Sequence, residues 1–179
     1  VDDLTRIVLH GGDDAIRIAN SYGDKVMRVV SKHGKKAIRL LKRHGDDAAR
    51  LFAHCGDDGV RLLERYGDDV LRLSTRNQTR LAKMSASLAD DALRMSRLYG
   101  EKAVEALGRY GRKVSYLAKQ LENKGLSSAQ MREFFEFICE KGERGISFVE
   151  RHWKMFLGGT SLYVLWTWEQ EAYEAGDAG

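Results

Sequence analysis

Apolar and polar positions recur along the first two thirds of the chain with a period of eleven residues, repeated eleven times from Val1 to Leu121 without loss of register. Tyr66-Gly67-Asp68-Asp69-Val70-Leu71-Arg72-Leu73 states the unit most clearly, and near copies begin at Gly12, Gly23, Gly34, Gly45 and Gly56. Positions four, five, seven and eight are mostly apolar, a spacing that lines one face of an α-helix. Position one is Gly in eight units, those six with Gly100 and Gly111, and position two is acidic in eight. Position six is Arg in eight units, among them Arg39, Arg50 and Arg61, and position eleven is often Tyr or His: Tyr22, His33, His44, Tyr66, Tyr99, Tyr110.

Two structures fit this pattern. Eleven residues make three turns of one continuous helix, whose apolar stripe would favour a slight right-handed supercoil. Alternatively each unit is its own helix of about two turns, and the Gly marks a break. Eight Gly inside a continuous rod cost roughly 8 kcal/mol relative to Ala. The broken form gives each residue a local reason: Gly takes a left-handed conformation after the last turn, Asp caps the next helix, and the preceding Tyr or His closes the corner. The sequence therefore predicts an all-α fold, a superhelical stack of short helices with a long supercoiled helix as the alternative, plus C-terminal helices. In the unit without Gly, Asn77 replaces it in the left-handed position and Thr79 replaces the capping Asp. Ala89 has no such substitute, which predicts a longer helix from about Arg80 to Tyr99. One unit cannot bury its apolar face alone, so stability must come from stacked neighbours.

Three segments follow: a repeat array over 1–124, an amphipathic connecting helix over 126–145 and a C-terminal segment over 146–179. Asn123-Lys124-Gly125 reads as a helix stop, and Ser127 to Gln130 has capping-box spacing. Phe134, Phe135, Phe137 and Ile138 give the next helix a dense apolar face, while Gly142 and Gly145 bracket another turn. From Met155 to Trp168 fourteen consecutive residues carry no charge, short of the roughly 17 to 20 that a spanning helix needs. Its flanks suit a membrane interface, with Trp153 and Lys154 at one end and Tyr163, Trp166 and Trp168 at the other. Gly158-Gly159 would allow close helix approach or mark a kink. The alternative is a buried terminal helix.

Composition sharpens this. Proline is absent and 31% of residues are charged, which suits helices throughout. The net charge of +4 conceals a split, with 25 Lys and Arg against 17 Asp and Glu before Leu126 and 5 against 9 from there on. Cys55 and Cys139 lack the spacing of a disulfide framework or a zinc site. The chain begins at Val1, without an initiator Met, consistent with a removed secretory signal or with missing upstream residues. The first reading puts the repeats outside the cytoplasm, whereas Lys141, Arg144, Arg151 and Lys154 before the uncharged segment would put them inside.

The units resemble the Tyr-Gly-Asp-Asp-Ala-type eleven-residue arrays of bacterial envelope proteins and toxin stalks. That resemblance covers about two thirds of the chain and implies a spacer or scaffold, with no catalytic residues to carry over.

No residue set points to catalysis. The Gly residues are single and followed by Asp, which would repel phosphate. His44, His54 and Cys55 form the one cluster resembling a metal or nucleophile site, and His44 and Cys55 occupy corner positions that hold Tyr elsewhere. The expectation is a non-enzymatic scaffold subunit without cofactor, in a larger membrane-associated assembly, with protein subunits as partners and membrane contact through 153–168. The alternative is a peripheral binder of anionic lipid or nucleic acid through Arg39, Arg50 and Arg61, although interleaved carboxylates and the lack of base-stacking aromatics argue against nucleic acid.

Overall fold

The computed structural model describes residues 20–177 together with Thr5, Asp13 and Arg17, so Gly12 lies outside the described residues. The described chain is all-α, without a strand. It divides into two compact units, the first ending at Lys83 and the second beginning at Met84.

The first unit holds α1 (Asp24–His33), α2 (Lys35–Cys55), α3 (Asp57–Tyr66), α4 (Asp68–Leu71) and α5 (Thr75–Ala82). Gly45 interrupts α2 with non-helical angles, so that element is two ten-residue helices joined by one residue. The repeat is thus a helix of ten residues, nearly three turns, plus one Gly. Gly34, Gly45, Gly56 and Gly67 share φ of 54 to 56° and ψ of −132 to −138°. This excludes the continuous rod in that part of the array. It also corrects the expected left-handed helical cap, since ψ there would be about +47°. The backbone is instead the mirror image of an extended chain, a region open to Gly because no Cβ collides with the neighbouring carbonyls.

Each such Gly serves both helices. The Gly56 N–H donates to the Phe52 carbonyl at 2.9 Å, and its own carbonyl accepts from the Gly59 N–H at 3.0 Å. Asp is therefore the first helical residue rather than the cap, and none of these starts has a side-chain cap. Gly23 differs, breaking the chain with an ordinary extended backbone, φ −63° and ψ 176°. Burial follows the predicted stripe: Val26, Val29 and Val30 in α1, Ala48, Ala49, Leu51 and Phe52 in α2, Val60, Leu62 and Leu63 in α3. Gly59 falls on that stripe because a Cβ there would lie 3.1 Å from the Leu51 carbonyl oxygen, tighter than helices normally pack.

Where Gly is missing, the breaks move. No non-Gly residue among those described has positive φ, and Asn77 lies buried inside α5. The chain breaks before Ser74 and again before Ser85, both of which take extended angles and lead α5 and α6 (Ala86–Tyr99). The expected single helix from Arg80 to Tyr99 is accordingly divided at Lys83 to Ser85, while Ala89 is helical and buried.

The second unit continues with α7 (Lys102–Asn123), α8 (Ser128–Leu157) and α9 (Leu162–Asp177). Gly111 breaks α7 with the same inverted angles, φ 60° and ψ −139°. At the predicted stop, Gly125 takes φ 89° and Leu126 N–H returns to the Leu121 carbonyl at 3.3 Å, a closure that also brings two buried Leu together. The Ser127–Gln130 capping box is present in both directions. Helix α8 runs through the expected division at 145 and breaks at Gly142, where a Cβ would meet the Tyr110 hydroxyl at 3.1 Å. Gly145 is helical and buried, so it does not bracket a turn. Phe134, Phe135, Phe137, Phe148 and Phe156 form the core.

Candidate interaction surfaces

The Asp released from capping has another partner. Tyr22 donates its hydroxyl to Asp46 at 3.0 Å, His33 Nε2 meets Asp57 at 2.9 Å and His44 Nδ1 meets Asp68 at 3.1 Å, each pair 24 residues apart. The corner residue of one repeat thus grips the leading Asp of the third repeat after it. Lys32 also binds Asp57, and its hydrogen bond, with help from His33, holds that carboxyl below the ordinary range. Cys55 is the next corner, and burial pushes its thiol upward against the influence of the neighbouring Thr79, again 24 residues on, whose hydroxyl donates to the Thr75 carbonyl at 3.0 Å.

The second unit carries related clamps. Glu122 accepts a two-pronged bond from Arg94, at 3.0 and 2.8 Å, and a third from the Tyr99 hydroxyl at 2.8 Å. Burial works to raise Glu122, but these donors prevail and hold it low. Burial and Glu122 together push the Tyr99 hydroxyl up to about 12. Asp91 likewise stays low against burial because Lys119 and Ser115 donate to it.

The candidate polyanion contacts do not form one uniform row. Arg50 pairs with Asp47 at 2.6 Å and Arg61 with Asp58 at 3.0 Å, and Arg61 also reaches the Ala82 carbonyl. Arg39 has Lys36 in the corresponding place, three residues earlier. Positive charge concentrates there, since residues 24–43 contain eight Lys and Arg against Asp24 alone. Among the described residues Lys25, Arg28, Lys35, Arg39 and Arg43 form no ion pair. Between α1 and the end of α2 this face opens into a cleft of about 420 Å³, lined by Lys25, Arg28 and Lys32 above Val29, Phe52 and Ala53, with Asp57 on its wall.

The fourteen uncharged residues fold as the end of α8, a turn through Gly158 and Gly159 (φ 100°), and the start of α9. Among the described residues no helix is long and apolar enough to cross a membrane. The five interface candidates separate. Tyr163 and Trp166 pack edge-on against Phe137, with ring centroids 5.3 and 5.6 Å away, and Trp166 also meets Phe148. Trp153 lies under the Lys124 ammonium at 3.9 Å, with Lys154 at 5.8 Å. Trp168 is 53% and Tyr173 76% exposed. Glu133 fixes the hairpin by accepting from Ser161 Oγ and the Leu162 N–H, both at 2.6 Å, and Glu169 ties it to Arg151 and His152.

His44, His54 and Cys55 do not converge. His44 is engaged with Asp68, His54 is exposed and Cys55 faces Thr79; among the described residues no three His, Cys, Asp or Glu are placed to hold a metal. Reading each unit singly missed the 24-residue pairing, although a signal for it is in the chain. Position two lacks an acid at Lys35, Thr79 and Arg112, and the residues 24 earlier, Gly11, Cys55 and Leu88, all depart from Tyr and His; Asn77 also departs, although Glu101, 24 residues on, is acidic. No protein family, curated protein or solved structure matches the chain.

Proposed function

We propose that the chain is a non-enzymatic scaffold, a superhelical stack of short helices that holds protein subunits together in a larger assembly. The observation that carries this reading is the recurrence of one rung at one spacing: Tyr22–Asp46, His33–Asp57 and His44–Asp68 repeat the same step between repeats. A fixed step applied over and over generates a screw, and repeat arrays of this kind gain extended surface without enlarging their core. The rung also occupies the residue types that would otherwise serve acid–base chemistry. His and Asp spent on joining repeats cannot also move protons for a substrate without breaking the stack.

Contact with partners falls to residues the stack leaves outside. Exposed Met155, Leu157, Val164 and Trp168 around the α8–α9 turn form a short apolar surface. The test is native mass spectrometry of the chain isolated from its source without crosslinking. Stoichiometric co-isolation of other subunits is the expected result, and recovery of the chain alone from both detergent and aqueous extracts would overturn the reading.

A further inference from the structure

We propose that the basic cleft of the first unit receives the acidic, aromatic face of α9 from a second copy of the chain, so that copies associate head to tail. The inference rests on the scaffold reading and names one of its partners.

Each side of this contact has what the other lacks. The cleft combines cations on its rim, Lys25, Arg28 and Lys32, with an apolar floor of Val29, Phe52 and Ala53. Helix α9 contains Glu169, Glu171, Glu174 and Asp177 and no Lys or Arg. Glu169 is held by Arg151 and His152, whereas Glu171 and Glu174 are exposed and form no ion pair among the described residues. Val164, Trp168 and Glu171 follow one another at helical spacing along one face, and Trp168 is half exposed, whereas Trp166, the other Trp of the helix, packs against Phe137 and Phe148. An exposed Trp flanked by carboxylates fits an apolar floor rimmed with Lys and Arg, and buried aromatic anchors commonly dominate such contacts.

The floor decides between classes of partner. A nucleic-acid strand would match the rim but would place phosphates over Val29 and Phe52 and beside Asp57. A flat anionic membrane would leave the concavity unfilled. Because the donor and receptor surfaces differ, the contact is heterologous, and repetition gives a ring or an open filament.

Sedimentation velocity on the purified full chain tests this, from about 1 to about 200 µM, a range that brackets micromolar affinity. Association should rise with concentration and weaken at least about tenfold when salt increases from about 0.05 to about 0.5 M, as screening of exposed charges requires. The reversals Lys25→Glu with Arg28→Glu, and Glu171→Lys with Glu174→Lys, alter exposed residues and should each leave far-UV circular dichroism unchanged while abolishing self-association. Mixing the two variants should restore it, since each then offers the other a complementary surface. Trp168→Ala should weaken association about tenfold or more. A chain that stays monomeric throughout, or association indifferent to both reversals, overturns the proposal. So does binding to anionic vesicles through Lys25 and Arg28 without self-association. None of these outcomes affects recovery of other subunits from the source, so failure here remains distinguishable from failure of the scaffold reading.

Discussion

Single residues set the joints of this chain. At Gly56, φ of 56° with ψ of −132° is closed to L side chains, although nothing lies within 4 Å of a Cβ built there. The obstacle is backbone strain rather than space. Gly56→Ala should therefore destabilise the chain by about 1–3 kcal/mol in chemical denaturation. Gly23, with ordinary extended angles and equally open surroundings, supplies the contrast: Gly23→Ala should be neutral or add about 0.5 kcal/mol by restricting the unfolded chain. Equal losses at both positions would contradict the assignment. The sequence marked Gly23 and Gly56 alike as candidate breaks; it did not show that Gly23 punctuates the array differently, because φ depends on the direction in which the next helix leaves.

Between elements, paired side chains join one repeat to the third one after it. The Cys55–Thr79 rung is the exception that tests the rule, as both members depart from the pattern together. Converting one partner should leave a mismatched pair, whereas Cys55→His with Thr79→Asp should recover a standard rung. A double-mutant cycle is expected to show favourable coupling of about 0.5–1 kcal/mol. In the second unit Glu122 holds Arg94 and Tyr99 at once. Glu122→Gln removes a charge-assisted pair and should cost about 2 kcal/mol, visible as an earlier loss of tryptophan fluorescence because Trp153, Trp166 and Trp168 all lie in that unit. The same substitution should lower the titration of Tyr99 from about 12 in ultraviolet absorbance. The local signals for these elements were legible: the Ser127–Gln130 box and the stop at Gly125 need only neighbours in sequence. Rungs and clamps were not, since they join residues 23 to 28 apart and depend on how one helix folds back on another.

For the whole molecule, charge sets the response to pH. Asp57, Asp91 and Glu122 are all held below their ordinary values. A carboxyl lowered on folding lends stability above its unfolded value, and that contribution is lost as pH falls through the folded value. Stability should thus be nearly constant between about pH 5 and about pH 9 and decline below about pH 4, where these carboxylates take up protons. A thermal midpoint that stayed level from pH 6 to about pH 3 would count against the clamps.

By itself the sequence determined the helical class, the length of the unit and the apolar stripe, because each follows from periodicity and local conformational preference within a few residues. Tertiary structure alone decided that the chain breaks at Gly45 rather than running on as a rod, that Asp serves as a rung rather than a cap, that Ser74 and Ser85 start new helices while Asn77 stays inside one, and that fourteen uncharged residues bend into a hairpin. Those outcomes depend on which surfaces meet. A carboxylate goes to whichever donor the packed neighbours bring nearest, and an apolar run turns where both its halves can reach the same core.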